Sequence, residues 1–347
     1  MIFAGGFVYW RSHAAPARNQ AVLTAAIPQE QWWAASGRDA YDTHWSQGIG
    51  PRDPVIEWVF EDRAGFVGGP AVSEDGTVYV SSVGGVLYAL DPQGKLIWQV
   101  ELPATPVGAP ALSQSGDVYL TDTAGGLARV SPRGEVRWHF LPEQAAPATT
   151  GPVVSPGENI YYTQGIRIQA VSSEGKALWQ VQPTADNPPT VSPRLSPDGD
   201  LLFVGNVILD AGDGSVVNLD ALGAVDQYFV GADGEMYLVN GHEVSRWVRN
   251  GDQAEVVKTT GWEHGNFTIS RTSKQAGVTP DGLTWLFYTG FARSMGFGED
   301  TRLVWLGSDG QLRGNVHYPT RNSQAIAVDQ GAIVYACGNL ELGYGLP

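Results

Sequence analysis

Two stretches in the second half of the chain, residues 261–272 and 290–300, combine side chains suited to binding another protein. Aromatic rings and guanidinium groups are the side chains that most often anchor protein–protein interfaces. Both stretches depart from the pattern around them, as binding loops on a rigid scaffold do. The alternative is an elongated hairpin with ordinary turn residues. The residues that we expect to contact a partner are Trp262, His264, Arg271, Phe291 and Arg293.

Side chains suited to catalysis or metal binding are not grouped in the sequence. The six histidines are scattered and no two have zinc-ligand spacing. His139, next to Trp138, is expected to be an exposed residue of an outer strand. The single cysteine, Cys337, excludes an internal disulfide, and its apolar neighbours predict a buried side chain. We therefore predict no catalytic residue, no metal site and no cofactor.

The secondary-structure elements that must position these residues are indicated by a repeated sequence pattern. Trp58, Trp98, Trp138 and Trp179 are separated by 40, 40 and 41 residues. A unit of this length with four short strands is typical of one β-propeller blade, which must stack on its neighbours to bury its faces. Because the tryptophans hold a fixed place in the repeat, packing between blades is favoured over a stacking platform for a ligand.

Each unit begins with an apolar strand, a tight turn containing glycine, and a second apolar strand. Glycine supplies the positive φ that such turns require. A proline precedes each first strand, where the missing N–H costs no ladder hydrogen bond. The four clear copies are residues 71–80, 111–120, 153–162 and 194–203, and the prolines are Pro70, Pro110, Pro152 and Pro193.

Counting these turns predicts an all-β protein, a closed β-propeller with seven four-stranded blades. Eight blades are the alternative, if residues 255–305 contain another. Residues 55–60 are predicted as a fourth strand that pairs with strands in residues 324–337, so that the N- and C-terminal strands share the closing blade and hide its edges. The turn glycines are Gly76, Gly116, Gly157, Gly199, Gly234, Gly282 and Gly331.

The chain divides into three parts in this interpretation. Residues 1–20 are expected to be the remnant of an export signal or membrane anchor, residues 21–54 a lead-in segment, and residues 55–347 the propeller domain. The first ten residues are uniformly apolar but shorter than the roughly 20 that span a bilayer as a helix. The alternative for these residues is an apolar N-terminal strand.

The chain is acidic, with 21 Lys and Arg against 36 Asp and Glu and a formal net charge of −15. Such a surface repels phosphate backbones, which argues against a nucleic-acid partner.

Residues 89–98 and 170–179 resemble the pyrroloquinoline-quinone-like propeller repeat, and residues 33–51 resemble the segment that opens many bacterial propellers of this group. The repeat occurs in quinoprotein dehydrogenases and in the propeller lipoprotein of the bacterial outer-membrane barrel-assembly machinery. The resemblance covers residues 32–204 well and 226–337 weakly. The enzymes of the family resemble one another in an adjacent cysteine pair over the quinone and a bound calcium. One cysteine cannot supply that pair.

The resemblance implies a non-catalytic scaffold rather than an enzyme. We expect it to be periplasmic or otherwise extracytoplasmic, tethered to a membrane through the N-terminus, and to bind protein partners in a cell-envelope complex. The alternatives are a quinone-dependent oxidoreductase and a propeller that binds carbohydrate through exposed tryptophans. The fold alone does not choose among these functions.

Overall fold

The computed structural model describes residues 8–10, 34–35, 38–41, 43, 45–46, 57–183, 192–205, 207–217, 227–231, 234–240, 243–250, 253–261, 267–279, 282, 284–292, 299–307, 311–318, 323–329 and 334–338. Within these ranges all regular secondary structure is β-strand. The same residues contain no helix of the length and apolarity needed to cross a membrane.

The chain forms two compact units. The repeat unit comprises residues 30–42 and 51–218, and the terminal unit comprises residues 1–29, 43–50 and 219–347. The terminal unit begins with two short strands, β1 (Val8–Trp10) and β2 (Trp45–Ser46).

Four antiparallel sheets make up the described part of the repeat unit, and in each the strands pair in chain order. The first sheet contains β3 (Phe66–Val72), β4 (Val78–Ser82), β5 (Val86–Leu90) and β6 (Leu96–Glu101). The second contains β7 (Pro106–Leu112), β8 (Val118–Asp122), β9 (Leu127–Val130) and β10 (Val136–Phe140). The third contains β11 (Val153–Val154), β12 (Ile160–Gln164), β13 (Arg167–Val171) and β14 (Ala177–Val181). The fourth contains β15 (Arg194–Leu195), β16 (Leu201–Val204) and β17 (Val207–Asp210).

Three four-stranded sheets make up the described part of the terminal unit. One contains β18 (Gln227–Val230), β19 (Met236–Asn240), β20 (Glu243–Asn250) and β21 (Gln253–Gly261). The next contains β22 (Phe267–Val278), β23 (Thr284–Ala292), β24 (Glu299–Leu306) and β25 (Leu312–Tyr318). The last adds β1 and β2 to β26 (Ser323–Asp329) and β27 (Val334–Gly338).

Strands from the two ends of the chain therefore share one sheet, but the N-terminal strands are not those expected. β1 pairs antiparallel with β27, and β2 pairs parallel with β26. Residues 57–60, predicted within the fourth strand of the closing blade, are not in a strand, and residues 55–56 lie outside the described residues. The physical reason is that both edges of the β26–β27 pair are already occupied, one by β2 and the other by β1.

The described hairpin turns follow the predicted chemistry with one exception, and Gly331 lies outside the described residues. Gly76, Gly116 and Gly199 have φ between 77° and 84°, as the turn requires. In the third sheet the residue at the equivalent place is Glu158, with φ 59°, and not Gly157. Its N–H donates to the carbonyl of Ser155, as that of Gly76 donates to Ser73. The turn thus carries the conformational cost of a non-glycine residue in the left-handed region.

The prolines were expected before the first strands, and two of the four lie inside them instead. Pro70 falls within β3 and Pro110 within β7. In both strands the register shifts around the proline, between Val67 and Ala71 and between Val107 and Ala111. This irregularity accommodates a residue that has no N–H for the ladder. Pro152 and Pro193 directly precede β11 and β15, as predicted.

Each repeat tryptophan docks on the turn that follows the third strand of the next sheet. The ring lies on a glycine there: a Cβ atom at Gly134 would come within 2.8 Å of Trp98 Cδ2. The packing role expected of these tryptophans is therefore confirmed. The indole N–H groups donate from Trp58 to the carbonyl of Pro92 (3.0 Å), from Trp98 to Pro132 (2.9 Å), from Trp138 to Ser173 (3.0 Å) and from Trp179 to Ala211 (3.1 Å).

Apolar side chains fill the space between successive sheets. Tyr79 and Leu87 of the first sheet pack with Val118 and Leu120 of the second in one buried cluster. In the terminal unit a separate buried cluster contains Phe229, Val239, Val244, Val278 and Leu306. Neighbouring sheets thus bury each other's apolar side chains, as the stacking of repeat units requires.

The lead-in segment, through residues 34–40, forms hydrogen bonds with two non-adjacent sheets of the repeat unit. Ala35 and Arg38 form a tight turn in which each N–H donates to the carbonyl of the other, at 3.2 and 3.0 Å. The N–H of Leu112, at the end of β7, donates to Ala34, and that of Leu195, at the end of β15, donates to Ala40. The segment therefore satisfies backbone groups at the ends of first strands in the second and fourth sheets.

Candidate functional site

The five residues expected to contact a partner are placed only in part. Trp262, His264 and Arg293 lie outside the described residues. Arg271 lies in β22 and Phe291 in β23, two neighbouring strands of one sheet. Their backbone partners are Thr289 for Arg271 and Thr268 for Phe291, so the two positions lie close together along the hairpin. The partner-contact role of all five stays a prediction.

The described residues of the two stretches lie in strands. β22 starts at Phe267 and β23 continues to Ala292, so much of the sequence departure consists of long hairpin strands. The ladder is interrupted between Thr268 and Arg271 and again between Arg271 and Gln275. Such bulges redirect a strand and often lie next to binding sites. The elongated hairpin, the alternative interpretation, is therefore present.

His139 is not a simple exposed residue, contrary to expectation. Its Nε2 lies 2.6 Å from Asp122 Oδ2, and the Asp122 side chain is 5% exposed. The other carboxylate oxygen accepts from the backbone N–H groups of Ala124 and Gly126, which fixes the turn after β8. Asp122 thus orients the imidazole ring of His139. Because the same carboxylate also holds the turn after β8, the pair is explained by a structural role. Sequence reasoning missed it because the partners are 17 residues apart.

Arg129 links the second and third sheets. Its Nη2 lies 2.6 Å from Asp117 Oδ2, and its Nη1 donates to the carbonyl of Ser173. That carbonyl also accepts from Trp138. The guanidinium lies 5.8 Å from the centroid of the Tyr119 ring. The hydrogen bond to Asp117 raises the pKa of Arg129, so the group is a fixed cation with a structural role.

One acidic and aromatic cluster belongs to no repeated contact, and we call it the acid–aromatic corner. It consists of Phe60, Asp62, Phe66 and Tyr88. The Tyr88 ring lies 5.1 Å from Phe60 at 67° and 6.5 Å from Phe66 at 79°, and the two phenylalanine rings are 6.0 Å apart. The Tyr88 hydroxyl donates to Asp62 Oδ2, and this hydrogen bond raises the pKa of Tyr88.

The corner distinguishes the first sheet from its copies. Four residues after the repeat tryptophan, where the first copy has Asp62, the others have Leu102, Pro142 and Pro183. Ten residues before the next tryptophan, Tyr88 is replaced by Ala128 and Gln169. A comparison of the copies position by position could have found this site, because stacking does not require these side chains.

Metal-ligating side chains do not converge in the part of the chain that the structure describes. No three His, Cys, Asp or Glu groups there lie close enough together to hold a metal ion. The single cysteine of the sequence, Cys337, lies in β27.

Comparison with solved structures shows the fold. The chain is similar to a europium-containing methanol dehydrogenase, with a TM-score of 0.63, 13% identity, and coverage of 88% of this chain and 81% of that one. It also matches BamB from Moraxella catarrhalis with a TM-score of 0.45 and 14% identity, over 78% of this chain and 96% of that one. At 13% identity the likeness to the methanol dehydrogenase concerns the fold alone. No curated protein sequence matches significantly.

Comparison with protein families gives a longer match. The family model described as outer membrane protein assembly factor BamB matches residues 6–247, which is more than half of the chain. The match includes all four repeat tryptophans and the sheets that they join. The chain therefore belongs to this family of pyrroloquinoline-quinone-like β-propellers.

Proposed function

We propose that this chain is a non-catalytic propeller that acts as a protein-docking scaffold, an accessory subunit of a cell-envelope membrane complex. The observation that carries the proposal is the match of residues 6–247 to the family described as outer membrane protein assembly factor BamB. Stacked sheets hold their turns in fixed positions, so the surface is organised before a partner arrives.

The proposed architecture is a ring of seven blades. Seven sheets in the described residues support this number. The sheet of β1, β2, β26 and β27 would be the closing blade, because it joins strands from the two ends of the chain. Closure would leave the turns as the surface available to partners, since the first strands would line the axis.

We infer a periplasmic or other extracytoplasmic location with a membrane tether in the N-terminal region. The family description supports the location, and the apolar residues 1–7 support the tether. The partners are proteins rather than nucleic acids, in keeping with the net charge of −15. Trp262, His264, Arg271, Phe291 and Arg293 are proposed to contribute to their contact surface.

The test is affinity purification of the full chain from its native membrane, followed by mass spectrometry. We expect specific protein partners at comparable abundance, and their loss when the five proposed contact residues are replaced by alanine. A protein that elutes alone would overturn the scaffold. Dye reduction by the purified chain after addition of the quinone and calcium would overturn the non-catalytic assignment.

A further inference from the structure

We propose that the acid–aromatic corner binds a basic side chain, lysine or arginine, presented by a protein partner. This inference rests on the proposed scaffold function and names the chemistry of one contact. It concerns the first sheet of the repeat unit, and it is independent of the five residues predicted from the sequence.

The carboxylate of Asp62 has capacity for another donor. Its Oδ1 accepts from the N–H of Ala64 at 2.7 Å, and its Oδ2 accepts from the Tyr88 hydroxyl. Each carboxylate oxygen can accept a second hydrogen bond. The side chain is partly exposed, and no ion pair to it occurs among the described residues. A charged N–H donor would complete the site with a charge-assisted hydrogen bond.

The rings favour a cation at the same place. Tyr88 stands at steep angles to both phenylalanines, so the three rings form an aromatic corner next to the carboxylate. Aromatic faces attract ammonium and guanidinium groups, and the methylene stem of a basic side chain packs on the same surface. Phe66 is 38% exposed and Val83, in the adjoining turn, is 51% exposed. They offer apolar surface for that stem.

A protein side chain fits better than a quaternary ammonium headgroup of a lipid. Both are attracted to aromatic faces, but a quaternary ammonium has no N–H with which to bond the open positions of Asp62. The carboxylate therefore gives the site a preference for lysine or arginine. The negative charge of the chain also favours a basic partner surface.

The direct test follows backbone amide signals of Ala64, Gly65 and Val83 by NMR while the tripeptide acetyl-Val-Lys-Val-amide is added to the full chain. We expect saturable shifts with a dissociation constant of about 1–10 mM, as for a single small contact. Asp62→Asn should weaken binding at least about tenfold through loss of the charged acceptor. Phe66→Ala should weaken it about two- to fivefold. Unfolding curves of both variants establish that they fold.

The matched control is Glu74→Gln, which removes one negative charge at the opposite end of the first sheet. It should leave the affinity for the tripeptide unchanged. Absence of saturable shifts, or equal binding by wild type and Asp62→Asn, would overturn the proposal. Choline binding as tight as the tripeptide and insensitive to Asp62→Asn would overturn it in favour of a headgroup site.

Affinity purification separates this proposal from the scaffold itself. If the wild-type chain captures partners and Asp62→Asn captures the same ones equally, the corner is not a docking contact and the scaffold stands. If the wild-type chain captures none, the scaffold fails, and the corner fails with it as a contact for a partner.

Discussion

The indole N–H of Trp98 donates a 2.9 Å hydrogen bond to the carbonyl of Pro132, and the indole ring lies on Gly134 in the same turn. One residue thus contributes a directed bond and an apolar surface to the next sheet. The contact recurs from Trp58 to Trp179 along the repeat unit. Because the tryptophans recur about every 40 residues, the same contact joins each sheet to the next.

Replacing Glu158 with glycine should stabilise the protein. Glu158 has φ 59° at a turn position where the other copies have glycine. Removing the side chain relieves left-handed strain, and we expect a gain of about 0.5–1 kcal/mol in the free energy of unfolding. Urea denaturation measures it. Glu174→Gly, at an exposed turn position of the same sheet without positive φ, should instead destabilise, and a gain there would contradict the explanation.

Arg129→Ala should be far more costly than Arg137→Ala. The first change leaves Asp117, whose side chain is 9% exposed, without its ion-pair partner at 2.6 Å, although the Ser115 hydroxyl still donates to it. We expect a loss of about 2 kcal/mol in the free energy of unfolding. Arg137 pairs with Glu135 at 3.0 Å, but both side chains are more than half exposed, so its loss should stay within about 0.5 kcal/mol. Equal losses would show that burial does not distinguish the two pairs.

Tyrosine ionisation should govern stability above pH 10. Burial raises the pKa of Tyr119 to about 12, against about 10 for an unfolded tyrosine. Between these values the unfolded state releases a proton that the folded state keeps, so stability falls as pH rises. Tyr119→Phe should reduce this fall, as pH-dependent denaturation curves would show.

At pH 7, Tyr119→Phe should leave the free energy of unfolding unchanged or raise it slightly. The reason is that the buried Tyr119 hydroxyl has no hydrogen-bond partner among the described residues. Tyr162→Phe provides the contrast, since that hydroxyl donates to the carbonyl of Gly125 at 3.0 Å. Its removal should cost about 1 kcal/mol. A larger cost at Tyr119 than at Tyr162 would refute this account of the two hydroxyls.

The lead-in segment should protect amides in two sheets at once. Ala35 is buried in a cluster with Ala111 and Tyr119, so Ala35→Asp places a charge there. We expect at least about tenfold faster hydrogen exchange at the amides of Leu112 and Leu195, which donate to the lead-in carbonyls. Ala177→Asp, on an exposed position of β14, is the control. Unchanged exchange at both leucines would mean that the segment does not hold them.

The sequence predicted the stacking because its signals are local and repeated. The 40-residue tryptophan spacing and the glycine turns each reflect one backbone requirement that recurs in every copy. The shift from Gly157 to Glu158 was missed because a glycine next to the critical position looks equivalent in a pattern.

The candidate sites were harder to predict because they depend on contacts distant in sequence. Asp122 meets His139, and Asp62 meets Tyr88 26 residues away, only after the strands have paired. Two of the residues singled out for their types, Arg271 and Phe291, lie in strands rather than loops, since alternating β-formers extend the hairpin. Residue type alone does not separate a binding loop from a long strand.

A double-mutant cycle on Trp98 and Gly134 tests the docking of successive sheets most directly. In the wild-type background, Gly134→Ala combines a φ of 81° with a Cβ atom 2.8 Å from Trp98 Cδ2. In the Trp98→Ala background, Gly134→Ala should lower the free energy of unfolding only by the backbone strain, about 1–2 kcal/mol. Gly85→Ala, at φ 84° with no atom within 4 Å of the new Cβ, calibrates that strain.

We predict that urea denaturation will give a coupling of at least about 1 kcal/mol between Trp98 and Gly134. Additive losses, with Gly134→Ala costing no more than Gly85→Ala in the wild-type background, would contradict the docking of each sheet on the next.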